Sequence, residues 1–250
     1  MLPLFKSHYS IGKSILTLEE EGSSVEDGPQ SIIDLCKKND MKELFLVDDS
    51  MSGFLQGYLN SEKADLKFRF GLRIRICEDS NERNEEQKKK TSKVILFAKT
   101  KEGYKRLIKI YTQAAQQGFY HGPRTDYKTL KDNWSNKDLS LMVPFYDSFL
   151  HLNTLHGYMC MPDLSFCDPV YAVENNDIPF NFLIRKRVEE FCKQDKCVEV
   201  KSVFYNKKED FKAFLTFRCI NKRTTLDKPN LDHMTSDEFC LESFLQKSLT

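Results

Sequence analysis

What most constrains the fold of this chain is an alternation. Short apolar runs that stop at polar residues take turns with segments of helical period, a pattern that buries strands between helices and predicts an α/β fold built on a largely parallel sheet or barrel. Leu2–Phe5 reads as an opening strand, and Ser31–Lys38 as a helix with an acidic residue early and lysines in the last turn, where they suit the helix dipole. Lys42–Val47 is a compact buried-strand run that delivers Asp48 and Asp49 at its C-terminal end, the end at which α/β folds place chemistry. Gly53–Ser61 predicts a helix with Phe54, Leu55, Tyr58 and Leu59 on its apolar face. Leu66–Ile76 alternates at period two, with Leu66, Phe68, Phe70, Leu72, Ile74 and Ile76 on one side and Lys67, Arg69, Arg73 and Arg75 on the other.

Hydrophobic residues vanish between Glu78 and Ser92, which predicts a mobile surface loop over 78–92, with Lys88-Lys89-Lys90 at a solvated tip. Beyond it come a strand at Lys93–Ala98 and a helix over Lys101–Gln117, whose apolar stripe is read as Tyr104, Leu107, Ile108 and Tyr111 and whose stop is Gly118. Leu139–Val143 and Cys197–Phe204 are further strands, and Arg185–Lys193 and Lys207–Phe217 further helices. Neither an internal repeat nor a second domain is legible, so residues 1–250 are read as one domain.

Composition narrows the function classes. A net charge of +1 on 250 residues names no polyanionic partner. No apolar stretch is long enough to span a bilayer, and the opening Met1–Lys6 is charged too soon for a secretory core, so a cytoplasmic protein without membrane attachment is expected. The eight cysteines include no C-x-x-C pair, and they are read as buried reduced thiols acting as small apolar side chains. G-x-S-x-G, Walker-type and G-x-G-x-x-G motifs are absent, which removes the commonest hydrolase, nucleotidase and dinucleotide readings. His151 and His156 lack the i, i+4 spacing of a helical zinc pair, and His121 and His233 sit in polar, turn-like surroundings.

Three stretches are more specific. Ala98-Lys99-Thr100-Lys101-Glu102-Gly103-Tyr104-Lys105-Arg106-Leu107-Ile108-Lys109, then Gly118-Phe119-Tyr120-His121-Gly122-Pro123-Arg124, then Cys219–Pro229 followed by Glu238-Phe239-Cys240-Leu241, resemble, in order and separation, the polymerase and histidinol phosphatase (PHP) domain of the bacterial DNA polymerase III alpha subunit. The resemblance covers nearly the whole chain and is weakest over residues 146–195. It implies a distorted (β/α)7 barrel whose strand ends meet in a cleft that, in active members, holds divalent metals on imidazoles and carboxylates. Because the chain stops where that domain stops, it is read as a stand-alone copy, without polymerase regions.

Carrying the family's ligand positions across shows what has changed. The opening H-x-H pair falls on Leu4 and Lys6, the acidic ligand after it on His8, and the strand-ending T-D-H on Val47-Asp48-Asp49. The G-x-E becomes Gly71-Leu72-Arg73, the next histidine becomes Lys93, the following Cys or His falls on Phe145, and the closing D-x-H falls near Ser202-Val203-Phe204. Leucine and phenylalanine offer no donor atom, and lysine and arginine are cations at neutral pH. Only His8 and Asp49 keep metal-capable side chains. The implied function is therefore a catalytically inactive PHP-like domain, without a cofactor, that binds a protein partner associated with DNA replication.

Two readings of the new charges stand beside each other: Lys6, Asp48, Asp49, Arg73 and Lys93 form a salt-bridged plug, or the three cations form an anion or phosphate site. The alternative function is a metal-dependent phosphoesterase or 3′–5′ exonuclease with Mn or Zn on a site rebuilt from His8, Asp48 and Asp49, joined by His151 or Asp147. Nucleic-acid binding through Arg69, Arg73, Arg75 and the lysine loop is compatible with the first function. Among the abundant aromatics, Phe145-Tyr146 and Phe149-Leu150 are candidates for either core packing or an interface.

Overall fold

The computed structural model describes residues 1–25, 28–192, 196–227 and 236–248. His233, Lys193, Lys228 with Pro229, and the Lys88 side chain fall outside the described part. The strands are β1 (Leu2–Phe5), β2 (Glu43–Asp48), β3 (Lys67–Cys77), β4 (Ser92–Ala98), β5 (Arg124–Asp126), β6 (Leu139–Val143), β7 (Val170–Val173) and β8 (Cys197–Val203). The helices are α1 (Ile32–Lys38), α2 (Phe54–Lys63), α3 (Glu85–Lys89), α4 (Lys101–Gln116), α5 (Tyr127–Asp132), α6 (Phe149–His156), α7 (Asn181–Phe191), α8 (Phe211–Lys222) and α9 (Leu241–Ser248).

The hydrogen-bonded order is β2-β1-β8-β7-β6-β4-β3-β5, and β2 also pairs with β3. Seven strands thus close a ring with β5 branching from β3, the topology of a distorted α/β barrel. One strand breaks the parallel rule: β4 runs antiparallel to both β3 and β6. The segment joining β3 to β4 contains only the five-residue α3, and β4 comes back beside β3 in the opposite direction.

Contacts group the chain into two compact units, residues 1–70, 174–179 and 200–250 in the first and 71–173 with 180–199 in the second. In the first, β1 lies between β2 and β8, with Phe5 opposite Leu46 and Leu4 opposite Ser202. Ser31 caps α1 by accepting the Ile33 N–H, and the helix buries Ile32, Ile33, Leu35 and Cys36. Helix α2 turns a different face inward from the one its hydropathy suggests. Leu55, Tyr58 and Leu59 are exposed, while Gly57, Asn60 and Ser61 are buried. The cause is close approach: a Cβ on Gly57 would lie 3.1 Å from the Phe68 ring, and Asn60 Nδ2 donates to Leu18 O at 2.7 Å.

In the second unit, Thr100 caps α4 by accepting the Gly103 N–H at 3.0 Å. Its buried stripe is Gly103, Leu107, Ile110 and Ala114, rotated from the expected Tyr104–Leu107–Ile108–Tyr111 face, and Ile108 is exposed. Gly103 and Gly118, both within the family-like stretches, are backbone contact points: a Cβ there would sit 2.1 Å from Asp138 O and 2.0 Å from Arg124 O. The 78–92 segment, read as a loop, carries α3 and a buried Gln87. Arg124, 2% exposed, donates to Gly118 O at 3.1 Å and to Ser80 O at 2.9 Å, and also to Glu82 O. One family-like arginine therefore ties that segment to the turn after α4.

Phe145, Tyr146, Phe149 and Leu150 are all buried, which assigns them to the core. Cys192 and Cys197, read as reduced thiols, have their sulfurs side by side, within reach of forming a disulfide. Among the described residues no helix is long and apolar enough to cross a membrane.

Candidate functional site at the strand ends

In the first unit, β1 and β2 deliver polar residues side by side at their C-terminal ends. Lys6, 2% exposed, donates from Nζ to Val47 O at 3.0 Å and lies 3.6 Å from Asp49 Oδ2. Lys13 Nζ reaches the same oxygen at 2.5 Å. Asp48 has no solvent exposure. Its carboxylate accepts the Ser7 N–H at 3.0 Å, the Ser7 hydroxyl at 2.6 Å and the Ser10 hydroxyl at 2.7 Å. Burial pushes the Asp48 carboxyl above its ordinary value, against the opposing pull of the Lys6 charge and those hydroxyls. Asp48 is thus an organiser of the β1–β2 turn residues, and its oxygens are already engaged.

In the second unit, β3 and β4 carry Arg73 and Lys93 to a shared carboxylate. Arg73 Nη2 donates to Tyr146 O at 2.9 Å and to Asp147 Oδ2 at 3.2 Å. Lys93 Nζ stands 3.4 Å from that same oxygen, and its backbone N–H donates to Asp147 O at 2.8 Å. Asp147 occupies the left-handed region at φ 60°, a conformation aspartate tolerates better than most residues. Its N–H donates to His151 Nδ1 at 3.1 Å, so the residue is held from both main chain and side chain.

The other ligand positions have different fates. Leu4, Phe145 and Phe204 are buried apolar residues; Phe204 stacks between Phe214 and Phe239 at centroid distances of 6.0 and 5.4 Å. Ser202 donates its hydroxyl to Glu174 Oε1 at 2.8 Å and its N–H to Oε2 at 3.2 Å. His8 packs its ring on Tyr9 at 4.4 Å, and its buried Nδ1 has no hydrogen-bond partner. Among the described residues, no three His, Cys, Asp or Glu side chains come together as a metal-holding group. The set His8, Asp48 and Asp49 does not form one, and the donors at the matched positions do not fit a divalent-metal cluster. An open groove of about 510 Å³ bordered by Lys42, Tyr58, Glu62, Asp65, Leu66, Lys67 and Phe68 involves none of these positions.

Sequence reading understated Asp147, which it raised only as a substitute ligand, and missed Glu174, 5% exposed at the end of β7. The four-residue β7 is too short for its period to register. Asp147 lies where a strand-ending proline is followed by Phe-Tyr-Asp-Ser, and its clue was the Asp-Ser pair, since Ser148 caps α6 by accepting the His151 N–H.

A mixed seven-stranded ring with helices, with Lys6, Asp48 and Glu174 at or just past the ends of β1, β2 and β7, defines a barrel class in which strand ends are the place for chemistry. The chain belongs to the PHP domain family, whose pattern it matches over residues 23–202. It is similar to the DNA polymerase III subunit alpha of Helicobacter pylori strain 26695, 32% identical over 135 residues, which is 52% of this chain and 11% of that protein. The subunit of the same name from Borreliella burgdorferi is 30% identical over 114 residues, 43% of this chain and 10% of the relative. That of Thermus aquaticus is 26% identical over 159 residues, 60% and 13% respectively. The matched region is thus a small part of each relative.

Proposed function

We propose that this chain is a PHP-fold binding module that does not hold the family's metal cluster and acts through a protein partner, in the setting of DNA replication suggested by its polymerase-subunit relatives. One observation carries the reading. Three positions that match metal ligands hold Lys6, Arg73 and Lys93, and their charged ends already lie beside carboxylates, Lys6 with Asp49 and the other two with Asp147. An ammonium at a ligand position removes a donor and also repels the cation. A protein partner is favoured over nucleic acid because much of the β3 cationic face is committed: Arg69 to Glu43 at 3.5 Å and Arg73 to Asp147 at 3.2 Å.

The test is elemental analysis after dialysis against Mn²⁺ and Zn²⁺, with chelator-treated protein as the blank, run beside a phosphoesterase assay. Retention below about 0.1 equivalent supports the reading. Tight retention of two or more equivalents, or metal-dependent release of phosphate, overturns it in favour of a rebuilt phosphoesterase site.

A further inference from the structure

Cys192 closes the C-terminus of α7, immediately after Phe191, and Cys197 is the first residue of β8; the two sulfurs lie side by side across a sequence separation of five. Both residues are partly exposed, whereas Cys36, Cys77, Cys160 and Cys240 are buried. Burial pushes the Cys36 and Cys77 thiols up to about 12, and that of Cys167 likewise, which leaves them almost no thiolate near neutral pH. Cys192 and Cys197 share partial exposure with Cys167 and Cys219, and what sets them apart is that their sulfurs are adjacent.

We propose that Cys192 and Cys197 are a reversible dithiol–disulfide couple, a redox-responsive clasp between α7 and β8. Two features make reversal feasible without loss of the fold. The loop that the bond closes is short, so it removes little entropy from the unfolded chain, and its reduction forfeits correspondingly little stability. The flanking elements have other anchors: α7 buries Ile184 and Val188, and β8 keeps its pairing with β7 through Tyr171 opposite Cys197. What reduction releases is the last turn of α7, where Phe191 packs on Phe149 at 5.2 Å and on Tyr171 at 5.8 Å. The exposed Phe182 and Leu183 lie in the first turn of the same helix, at the far end from Cys192, so the clasp acts on the last turn alone.

With glutathione disulfide as the oxidant, the chemistry balances. The Cys192 thiolate attacks one glutathione sulfur, forms a mixed disulfide and expels a glutathione thiolate. The Cys197 thiolate then attacks the Cys192 sulfur and expels the second glutathione. Two protein thiols and one glutathione disulfide become one protein disulfide and two glutathione thiols, which take up the two protons.

The test uses the whole chain, equilibrated in glutathione buffers from fully reduced to fully oxidised, then alkylated natively and digested with trypsin without reductant. Cleavage after Arg187, Lys193, Lys196 and Lys201 places the two cysteines on separate peptides. Their disulfide-linked mass should rise with oxidant, fall to background in reducing buffer, and be absent from Cys192→Ser. Hydrogen exchange at the C-terminal turn of α7 should be several-fold faster in the reduced protein, with β1 and β2 unchanged. Independent alkylation of both thiols at every ratio overturns the couple. A linked peptide that persists in reducing buffer overturns its reversibility, and equal exchange of α7 in the two states overturns the clasp.

Discussion

Glu238 offers the sharpest quantitative test of how this fold is held. The residue is 5% exposed and faces three lysines: Lys208 at 2.5 Å, Lys247 at 2.7 Å and Lys201 at 3.4 Å. Lys201 itself has no solvent exposure, and donates also to Asn176 Oδ1 at 2.6 Å. Burial works to raise the Glu238 carboxyl, but the hydrogen bonds from Lys208 and Lys247 and the Lys201 charge prevail and hold it at about 2, against an ordinary 4.5. At about 1.4 kcal/mol per pKa unit, that gap stabilises the fold by about 3 kcal/mol at neutral pH, at the low end of the 3–5 kcal/mol expected when one partner of a buried pair is removed. Glu238→Gln keeps the shape and removes the charge, so its melting temperature should fall by about 6–12 °C at pH 7. Because the folded-state value is depressed, the contribution is complete above pH 4.5 and is lost as the pH falls through about 2. The difference between wild type and variant should therefore shrink to less than half its neutral-pH size at pH 3, read by urea denaturation at both pH values. A gap that does not change with pH, or one below about 1 kcal/mol at pH 7, would refute the charge-based account.

Other substitutions probe the strand ends and the scaffold. Lys6→Met takes a buried ammonium from Val47 O and Asp49 and should cost about 2–3 kcal/mol in urea denaturation; a neutral result would mean the cation is not integral to the β1–β2 ends. Asp147→Asn keeps a residue suited to the left-handed conformation and removes only the charge that Arg73 and Lys93 share. Since those side chains are 11% and 20% exposed, the expected loss is about 1–2 kcal/mol. Lys93→Ala should also lower the melting temperature, and no change would count against its structural role. Gly103→Ala drives a Cβ into Asp138 O, and a loss of about 3 kcal/mol or failure to accumulate as soluble protein is expected.

The strands were more legible than the faces of the helices. Leu139–Val143 matches β6 because four of its five residues are apolar, as a central barrel strand favours, and its end is marked by Pro144. The α2 and α4 stripes were misread for one reason: where a helix approaches its neighbour most closely, the buried positions are Gly57, Asn60, Gly103 and Ala114, which hydropathy does not mark as a core. At the site, the replacement of ligands was legible residue by residue once the family pattern was aligned. The counter-charges were not, because Asp147 is brought to Arg73 and Lys93 by a left-handed turn between β6 and α6, and neither spacing nor period encodes that.

The two kinds of replacement at the family's ligand positions differ in consequence. A leucine or phenylalanine only withholds a donor, whereas each ammonium or guanidinium opposes a divalent ion by about 7 kcal/mol at roughly 5 Å in an effective dielectric near 20. One restored donor cannot offset that while a second cation remains. Arg73→Glu alone leaves Lys93 on the Asp147 carboxylate, and Lys93→His alone leaves Arg73 there. Neither single variant should retain Mn²⁺ after dialysis. The double variant removes both cations and combines a carboxylate and an imidazole with Asp147, so it is the first in the series expected to hold the ion. Equal retention by either single variant would show that charge at these positions does not control metal binding, and the proposed function would lose the observation on which it rests.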